Sequence, residues 1–139
     1  MQRPARQVFS ALVLAACAAA LPVHAHHSFA IYDQSKTLTL KGSVKAFQWS
    51  NPHCVIWVLV PTPGAGEPQE WSVETTSPGV MTRSGWTRSS VKPGDRISID
   101  FNPLRDGAHG GRLISVTLLD SGVKLSAVSI VDSEKSQQK

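Results

Sequence analysis

Apolar residues in this chain recur at every second position over one short stretch after another, a period that belongs to strands and not to helices. Thr37 to Trp49 begins with Leu38, Leu40 and Val44 in alternation. Gly42 then offers a place for a bend or bulge as the apolar phase shifts to Phe47 and Trp49, so the stretch reads as one long, bent first strand. His53 to Val60 is nearly all apolar and β-branched or aromatic, which predicts a second strand covered on both faces. Pro61 to Pro68 is a turn-rich loop. Gln69 to Thr75 alternates around Trp71 and Val73, and Arg96 to Asn102 around Ile97, Ile99 and Phe101, as suits burial of one face. Gly111 to Leu119 sets Ile114, Val116 and Leu118 on one side, and Val123 to Ile130 adds an edge strand or packs along the body.

Between the third and fourth of these strands lies Ser77-Pro78-Gly79-Val80-Met81-Thr82-Arg83-Ser84-Gly85. Serine at an N-cap, proline at the first helical position and glycine just past the end predict a helix of two turns at most. Lys92-Pro93-Gly94-Asp95 places Pro and Gly at the centre of a type II turn that launches the fourth strand. The fold class is therefore all-β, and the order strand, strand, strand, short helix, strand, strand is that of a five- to six-stranded OB-fold-like Greek-key barrel with the helix plugging one end. Strand count alone does not fix closure, so a small β-sandwich is the alternative.

The first 25 residues have a different character. Arg3 and Arg6 precede an apolar run from Val8 to Leu21, Pro22 ends it, and Val23-His24-Ala25 supplies small residues at −3 and −1, the pattern of a cleaved export signal. The run is too short for an ordinary membrane span. Leu14-Ala15-Ala16-Cys17 also reads as a lipoprotein box that would acylate Cys17. The Ala25 cut is favoured, because the sequence stays apolar after Cys17 where a lipidated cysteine is usually followed by a polar linker. The expected organisation is a signal peptide over 1–25, one domain over 26–131 and a polar tail over 132–139, with the periplasm as the compartment.

Removing residues 1–25 leaves 114 residues and takes away two of the 14 Lys+Arg, so 12 remain against 10 Asp+Glu. A net charge this small gives no footing for nucleic-acid binding. Cys54 is the one cysteine left, so the core holds without an internal disulfide. The chain has no Gly-rich phosphate loop, no nucleophile elbow and no paired carboxylates whose spacing exceeds chance, so a binding protein is expected and not an enzyme.

Chemistry then rests on the histidines. The Ala25 cut would leave His26-His27-Ser28-Phe29 as the new terminus, where one α-amine and two imidazoles can meet a single metal ion. Such a nitrogen set favours copper(II), with zinc as the lesser choice. His53 follows Asn51-Pro52 at the mouth of the second strand and shares a face with Val55, Trp57 and Leu59; for a lone strand histidine, burial with both nitrogens on backbone groups is as good a reading as ligation. His109, in Asp106-Gly107-Ala108-His109-Gly110-Gly111, is the weakest of the four candidate ligands, and a solvated loop residue is the stronger reading of it. Cys54 adjoins His53, but strand neighbours point to opposite faces, so a shared metal is not expected and a small core residue is. Asp33, Glu74 and Asp100 could orient imidazoles, although acids on strands usually mark the solvated face. Four tryptophans, at 49, 57, 71 and 86, are read first as core, and second as a groove for a planar ligand.

Several of these segments recur together elsewhere. His26-His27-Ser28-Phe29-Ala30 with Tyr32-Asp33, Gly42-x-Val44 leading to Trp49-x-Asn51-Pro52-His53, Ser77-Pro78 with Arg83-x-Gly85-Trp86, and Gly94-Asp95 with Pro103-x-Arg105-Asp106-Gly107 resemble a secreted bacterial family of uncharacterised proteins, domain of unknown function 6152. The resemblance runs from His26 to about Leu125 and implies an exported single-domain β-protein, without supplying an activity. Cys54 stands outside that pattern.

Two expectations follow. The first is a periplasmic protein that holds a transition metal, copper favoured, through His26 and His27 with His53 as the long-range ligand. The second is a metal-free OB-like interaction module that contacts an envelope protein or a small ligand through its barrel face. An oxidative copper enzyme with an amino-terminal histidine is the one catalytic version that fits the residues.

Overall fold

The computed structural model describes residues 29–64 and 66–127, so the expected leader with Cys17, the expected Ala25 cut, His26, His27 and the expected polar tail lie outside the described residues. A 3₁₀ turn, Phe29–Ile31, is followed by β1 (Leu38–Gln48), β2 (Val55–Val60), β3 (Gln69–Glu74), a helix α1 (Pro78–Arg83), β4 (Arg96–Pro103), β5 (Gly110–Leu118) and β6 (Lys124–Ser126). β1 pairs antiparallel with β2 on one side and β4 on the other, β2 with β3, and β4 with β5. β3 then lies parallel to β5 through Ser72↔Gly110, Val73↔Gly111 and Glu74↔Arg112, which closes a five-stranded barrel. That seam decides for the OB-like barrel against the open sandwich. β6 is an added strand on the far half of β5.

The core is the barrel interior. Val44, Ile56, Val58, Val73, Ile97, Ile99, Phe101, Leu113 and Val116 fill it, and Met81, Trp86, Val91 and Cys54 join them. Cys54 is a buried small residue, as expected. α1 starts where the sequence places it, with Ser77 as N-cap in extended conformation and Pro78 at its first position, although the Ser77 side chain makes no capping bond. Its end is a Schellman motif. The Trp86 N–H reaches back to the Met81 carbonyl and the Gly85 N–H to the Thr82 carbonyl, both at 3.0 Å, with Gly85 at φ +84°. Trp86 is thereby turned into the core, where its indole N–H donates to the Ser126 carbonyl at 2.9 Å and pins β6 to the plug. The predicted type II turn is present, with the Asp95 N–H on the Lys92 carbonyl at 3.0 Å and Gly94 at φ +90°.

Three details depart from the sequence reading. β2 is not covered on both faces: Ile56 and Val58 are fully buried, while Val55, Trp57 and Leu59 on the outer wall of the barrel are half-buried, because closure gives the strand an inside and no second layer outside. The bulge in β1 falls between Val44 and Ala46 and not at Gly42. Gly42 serves a close approach instead, since a Cβ there would lie 2.3 Å from the Leu59 carbonyl oxygen. In β5 a second bulge separates Ser115, opposite Asp100, from Leu113, opposite Phe101. It puts Leu113 inward with Val116 and leaves Ile114 half-buried, so Ile114 does not share the inward row.

Candidate functional site

Polar side chains from three segments meet on Glu74, at the β3 end of the β3–β5 seam. β2 opposes β3 with Val55 facing Glu74, and the ladder continues past the strand ends, with the Thr75 N–H on the Cys54 carbonyl and the Cys54 N–H on the Thr76 carbonyl, both at 2.9 Å. By alternation His53 stands on the same outer face as Val55, which makes Glu74 its diagonal neighbour across the pair. The His53 Nδ1 is bonded to the Glu74 Oε1. A carboxylate only accepts, so Nδ1 carries the proton, and in the neutral ring Nε2 is the nitrogen with a lone pair. Each side chain is about one-third exposed, 31% for His53 and 34% for Glu74. The Asn51–Pro52 peptide that leads into this segment is cis.

The other oxygen of Glu74 is also held. Tyr32 donates its hydroxyl to Oε2 at 2.7 Å, from a ring that is buried. Tyr32 is fixed from behind by its bridge to Leu104, by the Asp33 N–H on the Pro103 carbonyl at 2.8 Å and by the Arg105 N–H on the Ile31 carbonyl at 2.9 Å. The Arg105 side chain adds a bond from Nε to the Ala30 carbonyl, 2.9 Å. The stretch before β1 is thus laced along the loop between β4 and β5. Burial pushes the Tyr32 hydroxyl well above the usual phenol range, and the Glu74 carboxylate adds to this while Arg112 opposes it. Arg112 faces Glu74 in the seam register.

His109 has a different environment. Its ring stacks on Trp71, with centroids 4.6 Å apart and planes 14° from parallel, and its carbonyl accepts from the Ser72 N–H at 3.0 Å. Trp71 in turn meets Phe101 edge-on at 5.7 Å. The Trp71 indole nitrogen is buried without a hydrogen-bond partner among the described residues. Of the four tryptophans, Trp86 is core, Trp49 and Trp71 pack against the core, and Trp57 lies half-buried on the outer wall.

Among the described residues no group of three or more His, Cys, Asp or Glu is placed to hold a metal ion. His53 and His109 make their ring contacts with Glu74 and Trp71, and His26 and His27 are outside the described residues. Of the three acids read as possible orienters, Glu74 is the one that meets an imidazole. Asp33 binds Ser35 and lies 3.2 Å from the Lys36 ammonium, and Asp100 accepts from Thr39 and Ser115 at 2.7 and 2.8 Å. Tyr32 was not singled out by its chemistry. The available signal was that it is the only tyrosine in the chain, six residues past the expected new terminus.

A closed five-stranded barrel with an accessory strand, a helical plug and a Tyr–Glu–His cluster on its closing seam defines a small OB-like β-barrel protein. No helix among the described residues is long and apolar enough to cross a membrane. The chain belongs to the family of unknown function DUF6152, whose model matches residues 13–113. No curated protein and no solved structure matches it.

Proposed function

We propose that this is an exported, periplasmic metal-binding protein that takes copper(II) through the amino-terminal nitrogens of His26 and His27 together with Nε2 of His53. The observation that carries the reading is the bond from His53 Nδ1 to Glu74. A metal-ligating histidine almost always gives its second ring N–H to a carboxylate or carbonyl, which fixes the tautomer and raises the basicity of the ligating nitrogen. The described residues supply one such imidazole, and this reading takes its remaining ligands from His26 and His27, which lie outside the described residues. Four residues separate His27 from Tyr32, three of them in the 3₁₀ turn Phe29–Ile31, so the reach is at most about 14 Å. That distance is sufficient for a terminus tied down at Tyr32 to meet a ring tied to the same carboxylate.

The metal-free interaction module draws its support from the Trp71–His109 stack, since the loops joining strands 1–2 and 4–5 of an OB-like barrel are its usual contact surface. The two readings separate by experiment. The exported protein is examined by intact mass and titrated with copper(II) and with zinc(II), beside His27→Ala and His53→Ala. A chain starting at His26 and a loss of at least tenfold in copper(II) affinity in both variants are expected. A start at Cys17 with added acyl mass, or unchanged affinity in both variants, overturns the metal reading.

A further inference from the structure

We infer that Tyr32 and Glu74 form a positioning pair, which makes the orientation of the His53 ring depend on one shared carboxylate. The inference rests on the metal-binding reading and names the residues that would set its geometry without touching the metal.

A glutamate side chain one-third exposed has several rotamers open to it, and a single bond to His53 would leave it free to swing toward water. The second bond removes that freedom. Its donor is a buried phenol whose backbone is already held by the loop between β4 and β5, so Oε2 is anchored to a rigid point and Oε1 is left for Nδ1. The Tyr32 hydroxyl must be the donor, because the carboxylate has no proton to give. Arg112 stands opposite Glu74 in the seam register.

Removing the Tyr32 hydroxyl frees that carboxylate. Glu74 loses a fixed partner and turns toward solvent, and the His53 ring loses the carboxylate that orients it. Outer partners of ligating histidines commonly change metal affinity by about 10- to 100-fold when removed.

The test uses the exported protein as wild type, Tyr32→Phe, Glu74→Gln, the double variant and His53→Ala, each titrated with copper(II) against a competing chelator. Copper(II) electron paramagnetic resonance is recorded at saturation. Tyr32→Phe keeps the ring and its packing, so it should fold. We expect a loss of about tenfold in affinity with altered hyperfine parameters. The double variant should be within twofold of Glu74→Gln alone, because the tyrosine acts through the glutamate. Tyr32→Phe within twofold of wild type with an unchanged spectrum, while His53→Ala weakens binding, overturns this inference and leaves the metal site standing. Additive losses in the double variant overturn it too. A wild-type protein that takes up no copper(II) overturns the metal reading and this inference together. Should Tyr32→Phe not fold, Glu74→Gln alone decides: a spectrum and affinity equal to wild type refute the positioning role.

Discussion

Gly111→Ala is a substitution that this barrel should tolerate poorly for its size. Gly111 is on β5, opposite Pro103 of β4 and Val73 of β3, and faces the core. A methyl group there would lie 2.3 Å from Cδ2 of Phe101 and 2.4 Å from the Asn102 carbonyl oxygen, where ordinary contact begins at 3.4 Å. Both neighbours must retreat by about 1 Å, and neither can do so freely. Asn102 is backbone paired to Arg112, and the fully buried Phe101 ring is braced against Trp71. Overpacking of this kind costs about 1–3 kcal/mol. The stiffer unfolded chain returns about 0.4–1 kcal/mol. With backbone among the clashing atoms the cost falls at the upper end, for a net destabilisation of about 2 kcal/mol. For a domain near 100 residues that lowers the melting temperature by about 8–16 °C. Thermal unfolding followed by circular dichroism reads it. Gly66→Ala serves as the control, since its nearest neighbours are Thr62 carbons at 3.7 Å, and it should melt at or slightly above the wild-type temperature. A Gly111→Ala protein melting within 3 °C of wild type, on the order of half a kcal/mol by the same scaling, would refute the packing described for β4 and β5.

Three further outcomes follow from particular residues. The chain has one tyrosine, so absorbance at 295 nm reports Tyr32 alone; the folded protein should remain un-ionised through the ordinary phenol range near pH 10, and a midpoint at that value would contradict its burial against Glu74. Because this folded value is raised, the stability it contributes is complete below about pH 10 and declines as pH climbs toward the folded value. Asp100 is held below the usual carboxylate range, chiefly by the Thr39 hydroxyl, with Ser115 and Lys124 assisting against its partial burial. Its contribution is therefore present above about pH 4 and lost as pH falls through the folded value, so Asp100→Asn should flatten the acid limb of a stability–pH curve; an unchanged limb sinks the assignment. Gly110→Ala would bring a methyl within 2.9 Å of Leu104 Cδ1 and 3.0 Å of the Ser72 carbonyl oxygen across the seam. It should lower the melting point by less than Gly111→Ala, since the Leu104 side chain can yield, and it should lower the Tyr32 midpoint; a neutral result on both counts speaks for an open sheet.

Local chemistry made much of the fold legible. The Ser77-Pro78 start, the Gly85-Trp86 stop and the Lys92 to Asp95 turn are each decided by residues within a few positions of one another, and all three are found where the sequence places them. The five main strands lie within one or two residues of their expected bounds for the same reason. What the pattern could not carry was phase. An extra residue at Lys45 or near Ile114 flips the face of everything beyond it, and no composition signal marks either bulge, because the strand partner sets the register. The site was half legible on similar grounds. Residue types nominated His53 and admitted Glu74, but Asp33, Glu74 and Asp100 look alike along the chain, and only the β2–β3 register places one of them diagonal to the imidazole. Tyr32 is 42 residues from Glu74, and its contact exists because the chain closes on itself.

That closure links the fold to the chemistry. A parallel β3–β5 pair needs β5 to pass close beside β3 while crossing under Phe101, and Gly110 and Gly111 are the residues that let the backbone through. Once it passes, Arg112 arrives opposite Glu74, the loop after β4 comes to lie beside the residues before β1, and Tyr32 is carried over the carboxylate. In an open sandwich each of these groups would face water separately. The His53–Glu74–Tyr32 arrangement therefore reports barrel closure as directly as the strand pairing does. Loss of the Tyr32 bond while the melting point stays unchanged would mean that the cluster decorates the seam. Simultaneous loss of both in Gly110→Ala would mean that the seam builds the cluster, and the latter is what the register requires.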